Sequence, residues 1–133
     1  MKILKIFLIL LLIYVGIVFT FESLLGYFQP DGDGMVTIST TDENGLTRGR
    51  VVAQLESSGN LYIAANHWPR AWYRQALANS DVTVESQGMS NNYTAVPVIG
   101  DEDQQVNSDN PLPSFFRFLT GFPPRYFIRL DPK

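Results

Sequence analysis

Residues 61–85, LYIAANHWPRAWYRQALANSDVTVE, decide the fold. The run begins with Leu61, Tyr62 and Ile63, a short apolar stretch with β character. Pro69 stands where a helix can begin, because the first turn has no use for its missing N–H. Trp72 and Ala76, with Tyr73 and Leu77 beside them, recur at spacings of three and four and share a helical face. Asn79 and Ser80 end that helix. From Asp81 to Glu85 the pattern alternates, with Val82 and Val84 on one side and Asp81, Thr83 and Glu85 on the other, as in a half-buried strand. The stretch therefore reads strand, short aromatic-anchored helix, strand.

The flanks extend this pattern. Residues 35–41 and 48–56 read as strands, joined by the turn Asp42-Glu43-Asn44-Gly45, whose Asn-Gly pair is a hairpin signal. Residues 57–60 turn into the strand at 61–65. Residues 87–92 are expected to turn again, and 93–99 to form a fifth strand with Pro97 at an edge or a bulge. Residues 101–113 read as loop or a short helix, 114–120 as a short apolar helix, and 126–130 as a last strand. About six strands, two short helices and hairpin-length turns predict a mainly β domain: a small antiparallel barrel with helices plugging its openings.

Composition bounds the function. The chain has 133 residues, a formal charge of −3, no cysteine and one histidine. An acidic balance argues against nucleic acid. Disulfides and thiolate metal sites are excluded, and one histidine cannot build a His-rich metal centre within the chain. Residues 29–34, QPDGDG, are expected to be a linker. Their D-x-D-G resembles part of a calcium loop but lacks the other ligands. Asn92-Tyr93-Thr94 fits a glycosylation sequon, a short motif that chance supplies often.

The N-terminal 28 residues stand apart. Lys2 and Lys5 precede sixteen uncharged residues, 6–21, about 24 Å of helix against a hydrocarbon core of about 30 Å. Lys5 can snorkel, and Leu24, Leu25, Tyr27 and Phe28 extend the far side. No A-x-A pattern marks a cleavage site, and the segment is apolar all round rather than amphipathic. The expectation is a single-pass transmembrane anchor (1–28), a linker (29–34) and a barrel domain (35–133). The lysines precede the span, while Glu22, Asp31 and Asp33 follow it. That bias puts the N-terminus in the cytoplasm and the barrel on the extracytoplasmic, periplasmic side.

Residues 38–80 carry a resemblance. Thr40-Thr41, Gly45 and Arg48 are followed by a hairpin to Ala64-Ala65-Asn66, then Trp72-Tyr73 and Ala78-Asn79, with Ser80 where a proline is usual. In this order they resemble the deazaflavin (F420)-dependent nitroreductase and quinone reductase family. The resemblance implies the split β-barrel fold shared with the FMN-binding, pyridoxamine-phosphate-oxidase-like proteins. It also implies FMN or F420 as cofactor and a quinone or nitro compound as substrate. Some members carry an apolar N-terminal helix that associates with membrane. Two departures stand out. The family's Gly-Arg-Lys-Ser-Gly loop, which holds the cofactor phosphate, is Asp42-Glu43-Asn44-Gly45 here, so two cations have become two carboxylates. The loop before Trp72 is shorter and filled by His67, Trp68 and Pro69.

The candidate catalytic residues are His67, as a proton donor to a reduced substrate, and Tyr73 of the matching Trp-Tyr pair. The candidate cofactor-binding residues are Thr40, Thr41, Arg48, Arg50, Asn66, Arg70, Trp72 and Arg74. Arg48 and Arg50 share a strand face, and Arg70 and Arg74 stand four apart on a helix. Each pair can hold an anion or be a solvated surface; the aromatics can stack on a ring or plug the barrel. Two functions remain open. One is a membrane-anchored flavin- or deazaflavin-dependent reductase of a quinone-like acceptor. The other is a barrel without cofactor that serves as an accessory subunit of a larger membrane complex. A homodimer is compatible with either. An extracytoplasmic barrel would be poorly placed for a deazaflavin reduced in the cytosol.

Overall fold

The structure, a computed structural model, describes residues 1–28, 32–66, 68 and 70–133. A long helix, α1 (Lys2–Phe28), precedes strands β1 (Met35–Thr41), β2 (Thr47–Ser57) and β3 (Asn60–Ala65). Helix α2 (Ala71–Ala78) leads to β4 (Asp81–Ser86) and β5 (Met89–Pro97). Helices α3 (Asp101–Asp109) and α4 (Ser114–Thr120) precede β6 (Tyr126–Pro132). The six strands close into an antiparallel barrel in the order β1-β2-β3-β6-β5-β4. Closure leaves no sheet edge to template association.

Period-two alternation puts the barrel core together. In β1, Val36, Ile38 and Thr40 are buried and their neighbours are not. Val36 and Ile38 meet Val52, Ile63, Val82, Val84, Ala95, Ile128 and Leu130 inside the barrel. Trp72 and Ala76 of α2 join the same cluster, so this helix closes the barrel with an aromatic plug. The other face of β3 and β6 carries Tyr62, Ala64 and Phe127, which pack against Val106 of α3. Strand β3 is thus covered on both sides, which is why its sequence is continuously apolar rather than alternating.

Three details differ from the sequence reading. The β4–β5 turn needs only Gln87 and Gly88, both at positive φ, so β5 starts at Met89 rather than at residue 93. A hairpin loop of two residues lets the polar stretch Ser90–Asn92 pair directly with β4. Pro97 lies at the end of β5 of a closed barrel, not on an edge, where the missing N–H breaks no interior ladder. Residues 101–109 form a helix around the single buried Val106, so three short helices accompany the barrel rather than two. Residues 29–31 of the expected linker lie outside the described residues.

Helix α1 is long and apolar enough to cross a membrane. Its second half touches the rest of the chain. The Tyr14 ring lies 4.9 Å from that of Phe118, and Phe21 meets Phe116 edge-on at 5.9 Å. Gly121 ends α4 in the left-handed region, at φ 75°; there the Phe122 amide donates back to the Arg117 carbonyl at 2.9 Å. A Cβ at Gly121 would stand 3.1 Å from Val18 of α1, so the residue must also be small.

Candidate functional site

The first hairpin and the plug helix enclose a cavity of about 220 Å³. Strand pairing sets Thr40 opposite Arg48, and the alternation of β2 brings Arg50 to the same side. From α2, Trp72 and Gln75 also line it, three residues apart on one helical face. The Thr40 hydroxyl is buried and donates to Gln75 Oε1 at 2.8 Å. This bond ties the helix to the strand that carries the site. The Arg50 guanidinium reaches across to the Gly26 carbonyl at 3.4 Å, in the last turn of α1. A cation there faces the negative end of that helix. Four candidates taken from separate parts of the sequence, Thr40, Arg48, Arg50 and Trp72, therefore meet at one cavity.

The other candidates lie elsewhere. Thr41 bonds the Thr47 hydroxyl at 2.8 Å at the turn end of the hairpin. Asn66 is buried and accepts from Arg125 Nε at 3.0 Å; it lines a second, apolar cavity of about 290 Å³, on which Trp72 also borders. Tyr73 stacks on Tyr126 at 5.4 Å and meets Trp72 edge-on. Burial, and then the neighbouring Tyr126, raise its phenol above the ordinary value. Arg70 lies over the Tyr126 ring and donates to the Pro124 carbonyl at 3.0 Å; burial lowers its pKa first of all. Arg74 is exposed and does not line the cavity, so the two helix arginines do not converge. His67 lies outside the described residues.

Sequence reasoning missed two groups. Gln75 was visible as the residue three after Trp72, but its bond to Thr40 needed the fold. Asp42 was read as a carboxylate standing where the family has a cation, and its geometry adds more. Its Oδ1 accepts from the amides of Asn44 at 2.9 Å and Leu46 at 3.0 Å. Those amides belong to the loop that the resemblance assigns to a phosphate. Here the chain's own carboxylate takes them.

No family model and no curated protein matches this chain. Solved structures do. An F420-H2-dependent reductase, FDR-A, is similar over 74% of this chain and 95% of its own, at 18% identity and a TM-score of 0.55. The fold is a split barrel. A Listeria innocua protein solved as a candidate pyridoxamine 5′-phosphate oxidase is similar over 86% of this chain and 94% of its own, at 13% identity and a TM-score of 0.51. The haem storage protein HutZ of Vibrio cholerae is similar over 75% of this chain and 82% of its own, at 15% identity and a TM-score of 0.51. One split barrel thus serves proteins of unlike chemistry, and the choice among them rests on the site.

Proposed function

We propose that this chain is a membrane-anchored split-barrel reductase that takes a flavin-type cofactor, FMN or F420, and reduces a quinone-like or nitro acceptor. The observation that supports this reading is the convergence of Thr40, Arg48, Arg50 and Trp72 on one cavity. Two guanidinium groups on one strand face suit a phosphate or carboxylate better than one, because Arg offers a planar fork of donors. The residues fit the anionic end of such a cofactor. When bound, the cofactor supplies the redox chemistry. The chain's part is to hold the anion at Arg48 and Arg50 and to fix the cavity wall through Thr40 and Gln75. Trp72 closes the floor. His67 and Tyr73 are the proton-handling candidates. The anchor places the site where lipophilic acceptors dissolve. The charge bias around α1 puts the N-terminus in the cytoplasm and the barrel on the other side, a placement that suits FMN better than a deazaflavin reduced in the cytosol.

Asp42 favours a second reading. A turn whose amides are already taken by its own carboxylate offers no cradle to a phosphate. On this reading the barrel keeps the fold without the cofactor and serves as an accessory subunit of a larger membrane complex.

Native mass spectrometry of the full chain, drawn from its own membranes in mild detergent, separates the two. A bound molecule of flavin or deazaflavin mass is expected, and its loss in an Arg48→Ala/Arg50→Ala variant would place it at this cavity. A stoichiometric set of protein subunits with no small molecule would end the reductase reading and favour the accessory one.

A further inference from the structure

We propose that α4 enters the bilayer together with α1, so that the barrel is held by a two-helix wedge rather than by a single tether. This rests on the anchor reading above and adds a second membrane-contacting element, whose occupant is lipid. The argument starts from depth. Nine residues separate Lys5 from Tyr14, about 14 Å of helix, and nineteen separate Lys5 from Leu24, about 28 Å. If Lys5 sits at one interface, these positions span the further half of a hydrocarbon core of about 30 Å. That half is where α4 is attached. Tyr14, Val18 and Phe21 touch Phe118, Gly121 and Phe116, and Leu119 lines a shared apolar groove with Ile13, Ile17 and Leu24. Were α4 to stay in water with these contacts intact, only residues 1–13 would remain for the membrane, about 20 Å of helix and too short to cross.

Two further observations fit a lipid surrounding. The seven residues of α4 and the next turn leave three phenylalanines open, Phe115 at 71%, Phe122 at 55% and Phe118 at 42% exposure. Phe118 adjoins the bare apolar surface of α1 through Tyr14. Three of the last four carbonyls of α4, groups that a helix in water leaves to solvent, are satisfied from within. The Tyr14 hydroxyl donates to the Phe118 carbonyl at 2.9 Å, and Trp68 Nε1 donates to the Thr120 carbonyl at 2.6 Å. The Arg117 carbonyl accepts from the Phe122 amide and from the Thr120 hydroxyl. An open groove of about 570 Å³ beside this contact, walled by Val15, Val18 and Phe19 with Glu22 and Ser23 also lining it, is apolar over most of its wall, as an acyl chain requires.

The chain has no cysteine, so single-cysteine variants of the full protein are clean probes. Leu10→Cys, Phe118→Cys, Phe115→Cys and Asn91→Cys are each labelled with an environment-sensitive fluorophore and reconstituted into phosphatidylcholine vesicles. Leu10 reports the anchor, and Asn91 lies exposed in the polar β4–β5 hairpin. Labels at Leu10, Phe118 and Phe115 are expected to lose most of their emission to brominated acyl chains and to resist aqueous iodide. The label at Asn91 should do the reverse. Phe115 makes no ring contact with α1, so its label still reports if Phe118→Cys loosens the packing. Iodide quenching at 115 and 118 alongside lipid quenching at 10 would overturn the wedge and leave the anchor. Iodide quenching at 10 as well would overturn both.

Discussion

Replacing Glu102 by Gln tests how α3 is latched to the barrel. Glu102 sits in the first turn of α3, where a carboxylate is favoured by the helix dipole. Arg129 of β6 grips it with Nη1 at 2.8 and 3.1 Å from the two oxygens, and the Tyr62 hydroxyl donates to Oε1 at 2.8 Å. Arg129 also binds Asp131 through Nε at 2.8 Å. Gln keeps an acceptor for Tyr62 and removes the charge. Charge-assisted bonds contribute about 1.5–3 kcal/mol each when shielded. The Glu102 side chain is 34% exposed and that of Arg129 27%, so solvent weakens the pair to an expected total of about 1–1.5 kcal/mol. For a domain of this size that lowers Tm by about 3–6 °C. The pH dependence follows from the direction of the shifts. The hydrogen bond from Arg129 holds the carboxyls of both Glu102 and Asp131 below the usual range. A depressed carboxyl stabilises the fold fully above its unfolded pKa, about 4.3 for Glu, and loses that contribution as pH falls through the lower folded value. Thermal melts of the wild type and Glu102→Gln in detergent should therefore differ by a constant amount from about pH 7 to 5.5 and converge below about pH 4. A gap of the same size at about pH 2.5, or no gap at about pH 7, would refute the latch.

Two more outcomes follow from the site. Trp72 is 6% exposed and closes the barrel, so Trp72→Ala should cost about 3–5 kcal/mol in denaturant unfolding; a loss under about 1 kcal/mol would mean that α2 is not a plug. Asp42→Ala frees the Asn44 and Leu46 amides and removes one like charge, worth about 1 kcal/mol at about 4 Å in water. FMN, followed by fluorescence titration, should bind about fivefold more tightly, while the hairpin loses about 1 kcal/mol of stability. Unchanged affinity with the expected stability loss would show that the carboxylate does not obstruct this site.

Much of the barrel was legible because its signals are local. The alternation of β1, the Asn-Gly turn and the spacing of Trp72 and Ala76 each depend on neighbours a few residues away. The start of β5 was misjudged because Ser90, Asn91 and Asn92 have turn composition. They pair as a strand only because Gln87 and Gly88 turn the chain in two residues. Helix α3 was ambiguous because a single buried residue, Val106, gives no periodicity to read.

The site divided along the same line. Sequence alone determined which groups were available: two arginines two apart on a strand, a threonine pair, an aromatic helix, an acidic turn and an apolar N-terminal segment. Those are properties of residue type and short spacing. Only the tertiary structure decided which of them meet. Closure of the barrel and docking of α2 brought Thr40, Arg48, Arg50 and Trp72 to one cavity. The same packing drew Arg70 over Tyr126 and Asn66 onto Arg125. It also joined α4 to the second half of α1, a contact across about a hundred residues of chain that no local pattern encodes.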